Sequence, residues 1–170
     1  IIGLDGKLLG QVENPGKLGA MAWSRDGEQL AFISAEDKHD AQQGRLMVTG
    51  KNGGAFRDLM PGLLGHVIDV KWRDDRHIVF ISHEGVEARL GEITADGQGQ
   101  RTRLAAGGPI WTGLSLSRQG DAGLSGSTPR HPSEAFVLAS GGSTTQKLSD
   151  SNPWLANVAL ARQEVIRYKA

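Results

Sequence analysis

The chain has 170 residues, with 19 Lys and Arg against 19 Asp and Glu, and so carries no formal net charge. That balance excludes a surface built for nucleic acid or an anionic membrane, since either needs a basic excess. Cysteine is absent, which removes disulfide scaffolds, thiol nucleophiles and cysteine-type zinc sites.

No apolar run approaches the ~20 residues that span a bilayer, and no charged-then-apolar leader opens the chain. Glycine is the outlier, at 24 of 170 residues, about twice the usual share. It is needed at tight turns and disfavoured inside helices and strands. The composition therefore points to a soluble, turn-rich, all-β chain.

Residues Ile1–Val12 read as a strand, an Asp5-Gly6 turn and a second strand. A chain that opens on Ile inside a hairpin is expected to be an excised piece. A repeat follows. Met21-Ala-Trp-Ser-Arg-Asp-Gly-Glu-Gln-Leu-Ala-Phe-Ile-Ser34 shares its pattern with Val70-Lys-Trp-Arg-Asp-Asp-Arg-His-Ile-Val-Phe-Ile-Ser82 and, more faintly, with Leu114–Gly126. Trp23, Trp72 and Leu116 align at spacings of 49 and 44 residues. Those periods suit the roughly 40–50 residues of a four-stranded propeller blade.

Within each unit an inner strand ends on the bulky aligned residue, and a turn such as Asp26-Gly27 supplies positive φ. A continuous apolar strand such as Leu30–Ile33 follows, the mark of a strand covered on both faces. Trp23 and Trp72 are expected to be buried at equivalent places. Outer strands are expected at Arg45–Thr49 and Phe56–Met60, then Val86–Gly91 and Arg101–Ala105, then Glu134–Ala139 and Thr144–Leu148. Asn157–Glu164 has some helical character, and Glu164–Ala170 reads as a last strand.

The map is a partial β-propeller of about three four-stranded antiparallel blades with parts of two more. Residues 1–20 end one blade, 21–65, 66–109 and 110–150 form three, and 151–170 form a strand or linker.

Catalytic signatures fail one by one. No Gly-x-Ser-x-Gly elbow exists, and Gly123-Leu-Ser-Gly-Ser127 breaks at its last position. Ser82-His83-Glu84 holds triad-type residues, but neighbours on a strand face opposite sides. Gly97-Gln-Gly-Gln lacks the last glycine of a dinucleotide fingerprint, and Gly141–Lys147 reads as a hairpin. The histidines at 39, 66, 77, 83 and 131 show no metal-ligand spacing. The acidic loop Glu36–Asp40 has no regular calcium ladder and reads as solvated. No catalytic residue, metal site or cofactor is expected.

Ser127-Thr-Pro-Arg-His-Pro-Ser-Glu134 is the one segment with two readings. Arg130 and His131 either aim at a substrate carboxylate or carbonyl, or decorate a rigid Pro-bounded turn. The turn is the favoured of the two.

Trp23-Ser-Arg-Asp-Gly followed by Leu-Ala-Phe resembles the Trp-Ser-Pro-Asp-Gly repeat of TolB-type and peptidase propellers, with Arg25 in place of proline. The C-terminal third is more specific. Pro132-Ser-Glu-Ala-Phe-Val, Gln146-Lys-Leu-Ser-Asp-Ser-Asn-Pro-Trp-Leu and Gln163-Glu-Val-Ile-Arg-Tyr-Lys-Ala are similar to the last propeller blades of the prolyl oligopeptidase family, near the acylaminoacyl and dipeptidyl peptidases.

The resemblance implies a propeller that covers a separate α/β-hydrolase domain of the same parent chain and gates and binds short peptides. The catalytic triad would lie in that domain. A TolB-like interaction module is the alternative. The compartment, cytoplasm or bacterial periplasm, stays open. An open arc of blades would also leave apolar end faces for self-association, with Ile1, Ile2, Leu4 and Leu8 at one end and Val165, Ile166 and Tyr168 at the other.

Overall fold

A computed structural model describes residues 1–39 and 42–169. Its strands form three four-stranded antiparallel sheets, each a meander in chain order. Sheet 1 holds β1 (Leu18–Trp23), β2 (Gln29–Ser34), β3 (Arg45–Gly50) and β4 (Phe56–Asp58). Sheet 2 holds β5 (His66–Trp72), β6 (His77–Glu84), β7 (Glu87–Thr94) and β8 (Arg101–Leu104). Sheet 3 holds β9 (Ile110–Leu116), β10 (Ala122–Thr128), β11 (His131–Leu138) and β12 (Gln146–Lys147). The architecture is all-β, a run of propeller blades, as the repeat implied.

The middle strands explain the apolar runs. Ile78–Ile81 are buried on both faces because sheet 2 is packed between sheets 1 and 3, and Leu30–Ile33 because sheet 2 covers one face while Val12 and Phe56 cover Leu30 and Phe32 on the other. One core lies between sheets 1 and 2, built from residues such as Ile33, Val48, Val70, Trp72 and Phe80. Another lies between sheets 2 and 3, around Ile81, Leu90, Trp111, Leu124 and Phe136.

Inner strands β1, β5 and β9 lie side by side, and hydrogen bonds cross each junction. The Trp72 indole donates to the Ala22 carbonyl at 2.8 Å, and the Leu114 amide to Asp69 at 2.9 Å.

Asp26-Gly27 sits in the β1–β2 turn, with Gly27 at φ 73°. The turn is closed from within, because the Gln29 amide donates to Ser24 Oγ at 2.9 Å and the Glu28 amide to Asp26 at 3.0 Å. Asp74 closes the equivalent turn in sheet 2, and Ser117 with Asp121 the one in sheet 3.

Several expectations need correction. Trp72 is buried at 6% exposure, but Trp23 is 42% exposed. Both point away from the following sheet, and among the described residues no sheet lies in front of β1 to cover Trp23.

Residues Ile1–Val12 turn at Asp5-Gly6 as expected, with Gly6 at φ 79°, but the hairpin is short: an Ile2–Leu8 bridge flanked by the Gly3 amide on the Lys7 carbonyl at 2.8 Å and the Leu9 amide on the Ile1 carbonyl at 3.0 Å. The segment then leaves to meet the β3–β4 turn, where Gln11 pairs with Gly53, and Val12 packs against Leu30, Phe32 and Met47. The strand expected at Phe56–Met60 stops at Asp58, whose carboxylate accepts the Met60 amide and turns Leu59 and Met60 into the core.

Neither Asn157–Glu164 nor residues 164–169 are regular; Pro153–Asn157 forms a short 3₁₀ turn instead, and Ala170 lies outside the described residues. Pro153 has no amide to donate, and the chain turns off the sheet 3 edge just before it.

The proposed end faces shift as well. Ile2, Leu4, Leu8, Val165, Ile166 and Tyr168 are exposed, but on segments outside the sheets. Sheet 1 presents Met21 and Trp23 on its open face, whereas sheet 3 presents small and polar residues.

Candidate functional site

Antiparallel meanders put alternate connections at the same end of every sheet. One end therefore carries the β6–β7 turn, the β8–β9 connection, the β10–β11 hairpin and the chain beyond β12. Arg130 and His131 are at this end. The segment that the sequence suggested as a loop is a two-residue turn, Pro129-Arg130, with His131 already on β11 and paired with Thr128.

Among the described residues only glycines have positive φ, so this is not one of the primed turns that match strand twist unaided. A register shift between Gly126 and Thr128 absorbs the mismatch. The Arg130 amide donates to Thr128 Oγ1 at 3.1 Å, and the Arg130 side chain is exposed. The His131 ring donates through Nδ1 to the Pro132 carbonyl at 2.8 Å and lies 6.0 Å from the Phe136 ring.

The chain beyond β12 folds back over this end. Thr128, Pro129 and Arg130 face Ala161, Arg162 and Gln163 across a cleft of about 360 Å³. A larger cleft of about 680 Å³ adjoins it, lined by Val86, Glu87, Gly107, Ile110, Pro129 and Ile166 among others. Glu87 is held in place by the Gly107 amide at 2.9 Å. Two arginines, Arg130 and Arg162, thus line one cleft, and Glu87 lines the next. Such a pairing can take a ligand with a carboxylate at one end.

Glu134 fixes the path of the returning chain. It is buried, and it accepts hydrogen bonds from Ser149 Oγ, from the Ser151 amide at 2.8 Å and from Ser151 Oγ at 3.1 Å. Ser149 Oγ in turn receives the Ala135 amide at 2.9 Å. The Ser149 hydroxyl, helped by the Ser151 amide and hydroxyl against the opposing effect of burial, holds the Glu134 carboxyl below its ordinary value. Two motifs separated in sequence, Pro132-Ser-Glu134 and Leu148-Ser-Asp-Ser151, are one hydrogen-bonded unit.

The other suspect clusters resolve into structural roles. Ser82 Oγ donates to Glu84 at 2.9 Å, while His83 points the opposite way, 2.8 Å from the Trp111 carbonyl. His39 pairs with Asp37 at 2.9 Å, and Asp40 of that loop lies outside the described residues. Among the described residues no three metal-type side chains converge, and no helix is long and apolar enough to cross a membrane.

One buried ionic cluster was not expected. Glu92 is 2% exposed and bonds Arg73 at 2.6 Å and Arg101 at 2.8 Å. The alternation Val86, Ala88, Leu90 already pointed to its face, because Glu92 is next on that parity.

The fold defines a piece of β-propeller, and solved structures agree. TolB from Agrobacterium tumefaciens matches with a TM-score of 0.66 and 17% identity, over 81% of this chain and 50% of that one. A puromycin-hydrolysing peptidase from Mycobacterium tuberculosis matches with a TM-score of 0.66 and 15% identity, over 81% of this chain and 22% of that one. An oligogalacturonate lyase in complex with manganese matches at 0.61 and 18%, over 77% and 36%.

The chain therefore spans half or less of the length of these proteins. Their names differ while their fold is shared, so the likeness carries architecture and not activity. No family model matches the sequence, and no curated protein matches it.

Proposed function

We propose that this chain is the propeller portion of a serine peptidase of the prolyl oligopeptidase type, which gates and binds short peptides for an α/β-hydrolase domain of the same parent. The Glu134 unit carries the reading. It joins two of the three C-terminal motifs on which the family resemblance rests, and it sends the chain out over the end that bears Arg130. The shared fold with a puromycin-hydrolysing peptidase is consistent with that role.

In this reading Arg130, with Arg162 opposite, meets the carboxylate or a carbonyl of a peptide, and His131 braces the hairpin. The chain supplies no nucleophile, since it lacks both cysteine and a Gly-x-Ser-x-Gly elbow.

The test uses the full-length product of the gene that encodes these residues. A fluorophosphonate probe should label a serine outside residues 1–170, and short peptides should be cleaved in preference to folded proteins. Arg130→Ala should raise KM for peptides while leaving kcat nearly unchanged. A full-length product that neither labels nor cleaves would favour the TolB-like interaction module.

A further inference from the structure

The two clefts at the β10–β11 end divide charge between them. The smaller, of about 360 Å³, is lined by Arg130 and Arg162 and by no acidic side chain. The larger, of about 680 Å³, is lined by Glu87 and Glu164 and by no basic one. Thr128, Pro129 and Gln163 line both, so the clefts are continuous at the hairpin. Each volume falls within the roughly 300–1,000 Å³ of small-ligand sites.

Among the described residues neither Glu87 nor Glu164 makes an ion pair. The Gly107 amide occupies only Oε2 of Glu87, at 2.9 Å, and leaves Oε1 for a second donor. Val86, Ile110, Val165 and Ile166 line the same cleft. Carboxylates beside an apolar wall fit an ammonium group that carries an apolar side chain. Gln163, common to both clefts, has a side-chain amide that donates and accepts, which fits the peptide groups between two charged ends.

We propose that the joined clefts select short peptides with both termini free. The carboxylate lies at Arg130 and Arg162, and the amino terminus, with an apolar first side chain, at Glu87 and Glu164. The inference rests on the peptide-binding half of the reading above, and adds to it an amino-terminal subsite and a fixed direction. A peptide laid the other way would bring its carboxylate to two glutamates and its ammonium to two guanidiniums, and that repulsion excludes it. A cap on either terminus removes the charge that one cleft answers.

Titration calorimetry of the full-length product tests it, after fluorophosphonate treatment so that no peptide is cleaved. The probes are Leu-Ala-Ala, its N-acetyl and C-amide forms, and Gly-Ala-Ala. Either cap should weaken binding about fivefold, as loss of an exposed ion pair does. Gly-Ala-Ala should bind several-fold more weakly, because it leaves the apolar wall uncovered. Glu87→Gln combined with Glu164→Gln should erase the penalty of the acetyl cap and keep that of the amide; glutamine at 87 still accepts the Gly107 amide. Arg130→Gln combined with Arg162→Gln should do the reverse. Each variant keeps the preference that it does not touch, which a general loss of structure would not allow.

Free and capped peptides that bind alike overturn the proposal, as do variants that change neither preference. Labelling and cleavage decide the peptidase reading separately. A product that labels and cleaves but ignores the caps keeps that reading and loses this inference. A product that never labels, yet prefers free termini, does the opposite.

Discussion

Gly91 offers a sharp test of how sheet 2 is packed. It lies on β7 directly across from Phe80 of β6, and a Cβ placed on it would stand 2.4 Å from the Phe80 ring carbon Cζ and under 3 Å from both Cε atoms. Ordinary carbon contacts need about 3.5–4.0 Å, so the ring must move by an ångström or more. It has little room, because Phe80 is buried in the core shared by sheets 1 and 2.

Overpacking of this kind costs about 1–3 kcal/mol. Replacing glycine also restricts the unfolded chain, which returns about 0.4–1 kcal/mol. Gly91→Ala should therefore destabilise by about 1–2 kcal/mol. Urea unfolding followed by far-ultraviolet circular dichroism should show a lower midpoint at unchanged slope. Phe80→Leu removes the ring that clashes, so the double variant should be more stable than the sum of the single effects predicts. A neutral Gly91→Ala, or strict additivity, would refute the packing argument.

Trp72→Phe should cost about 1 kcal/mol through loss of the bond to Ala22, and Trp72→Ala about 3–5 kcal/mol. Trp23→Ala should cost less than about 1 kcal/mol, since its ring is half exposed; matched thermal melts check the contrast. Glu92→Gln removes the anion shared by Arg73 and Arg101 and should cost about 1 kcal/mol, since Arg73 keeps Asp74 and Arg101 is solvated; urea midpoints read it. Glu134→Gln should loosen only the chain after β12, seen as faster hydrogen exchange at the Ser151 amide with the sheet amides unchanged.

Asp26, Asp74, Asp96, Asp121 and Glu134 are all held below their ordinary values, so the folded chain binds fewer protons than the unfolded one in acid. Their stabilisation is present above the ordinary values of 3.8 for Asp and 4.5 for Glu. It is lost as pH falls below them. A urea midpoint that stays flat from pH 5 to about pH 3 would contradict this.

The sheets were legible because their signals are local. An Asp-Gly turn and a four-residue apolar run each report on their own neighbourhood, and both recur at the blade period. The exposure of Trp23 was not legible, because burial is decided by a neighbour that may be any distance away in sequence. The Glu134 unit was half legible. Both of its motifs stood out as text, but a carboxylate bonded to serines 15 and 17 residues later leaves no periodic trace. The Glu92 cluster had a signal in its strand parity, yet a charge among Arg, Glu and Thr reads by default as solvated. The helical tendency over Asn157–Glu164 failed for a similar reason: every residue there is exposed, and a short helix needs a packed face to persist.

What the carboxylates do differs between the two ends of the sheets. At the end bearing the β1–β2, β5–β6, β7–β8 and β9–β10 turns, carboxylates are committed to the fold. Asp26 takes the Glu28 amide, Asp74 those of Arg76 and His77, Asp96 that of Gln98 and Asp121 that of Ser140. Asp75 takes the Asp26 amide of the neighbouring sheet. Each acceptor answers a backbone donor that would otherwise go unpaired at a tight turn, so none is available to a ligand without loss of the turn. At the opposite end the guanidiniums of Arg130 and Arg162 make no ion pair among the described residues, and both line the same cleft. Free cations beside a cleft can bind an anion without dismantling anything. In the proposed reading the cleft beside the β10–β11 hairpin receives a ligand carboxylate, since Arg130 and Arg162 line it with no carboxylate among its lining residues, and that is also the end over which the chain runs after Glu134 has turned it.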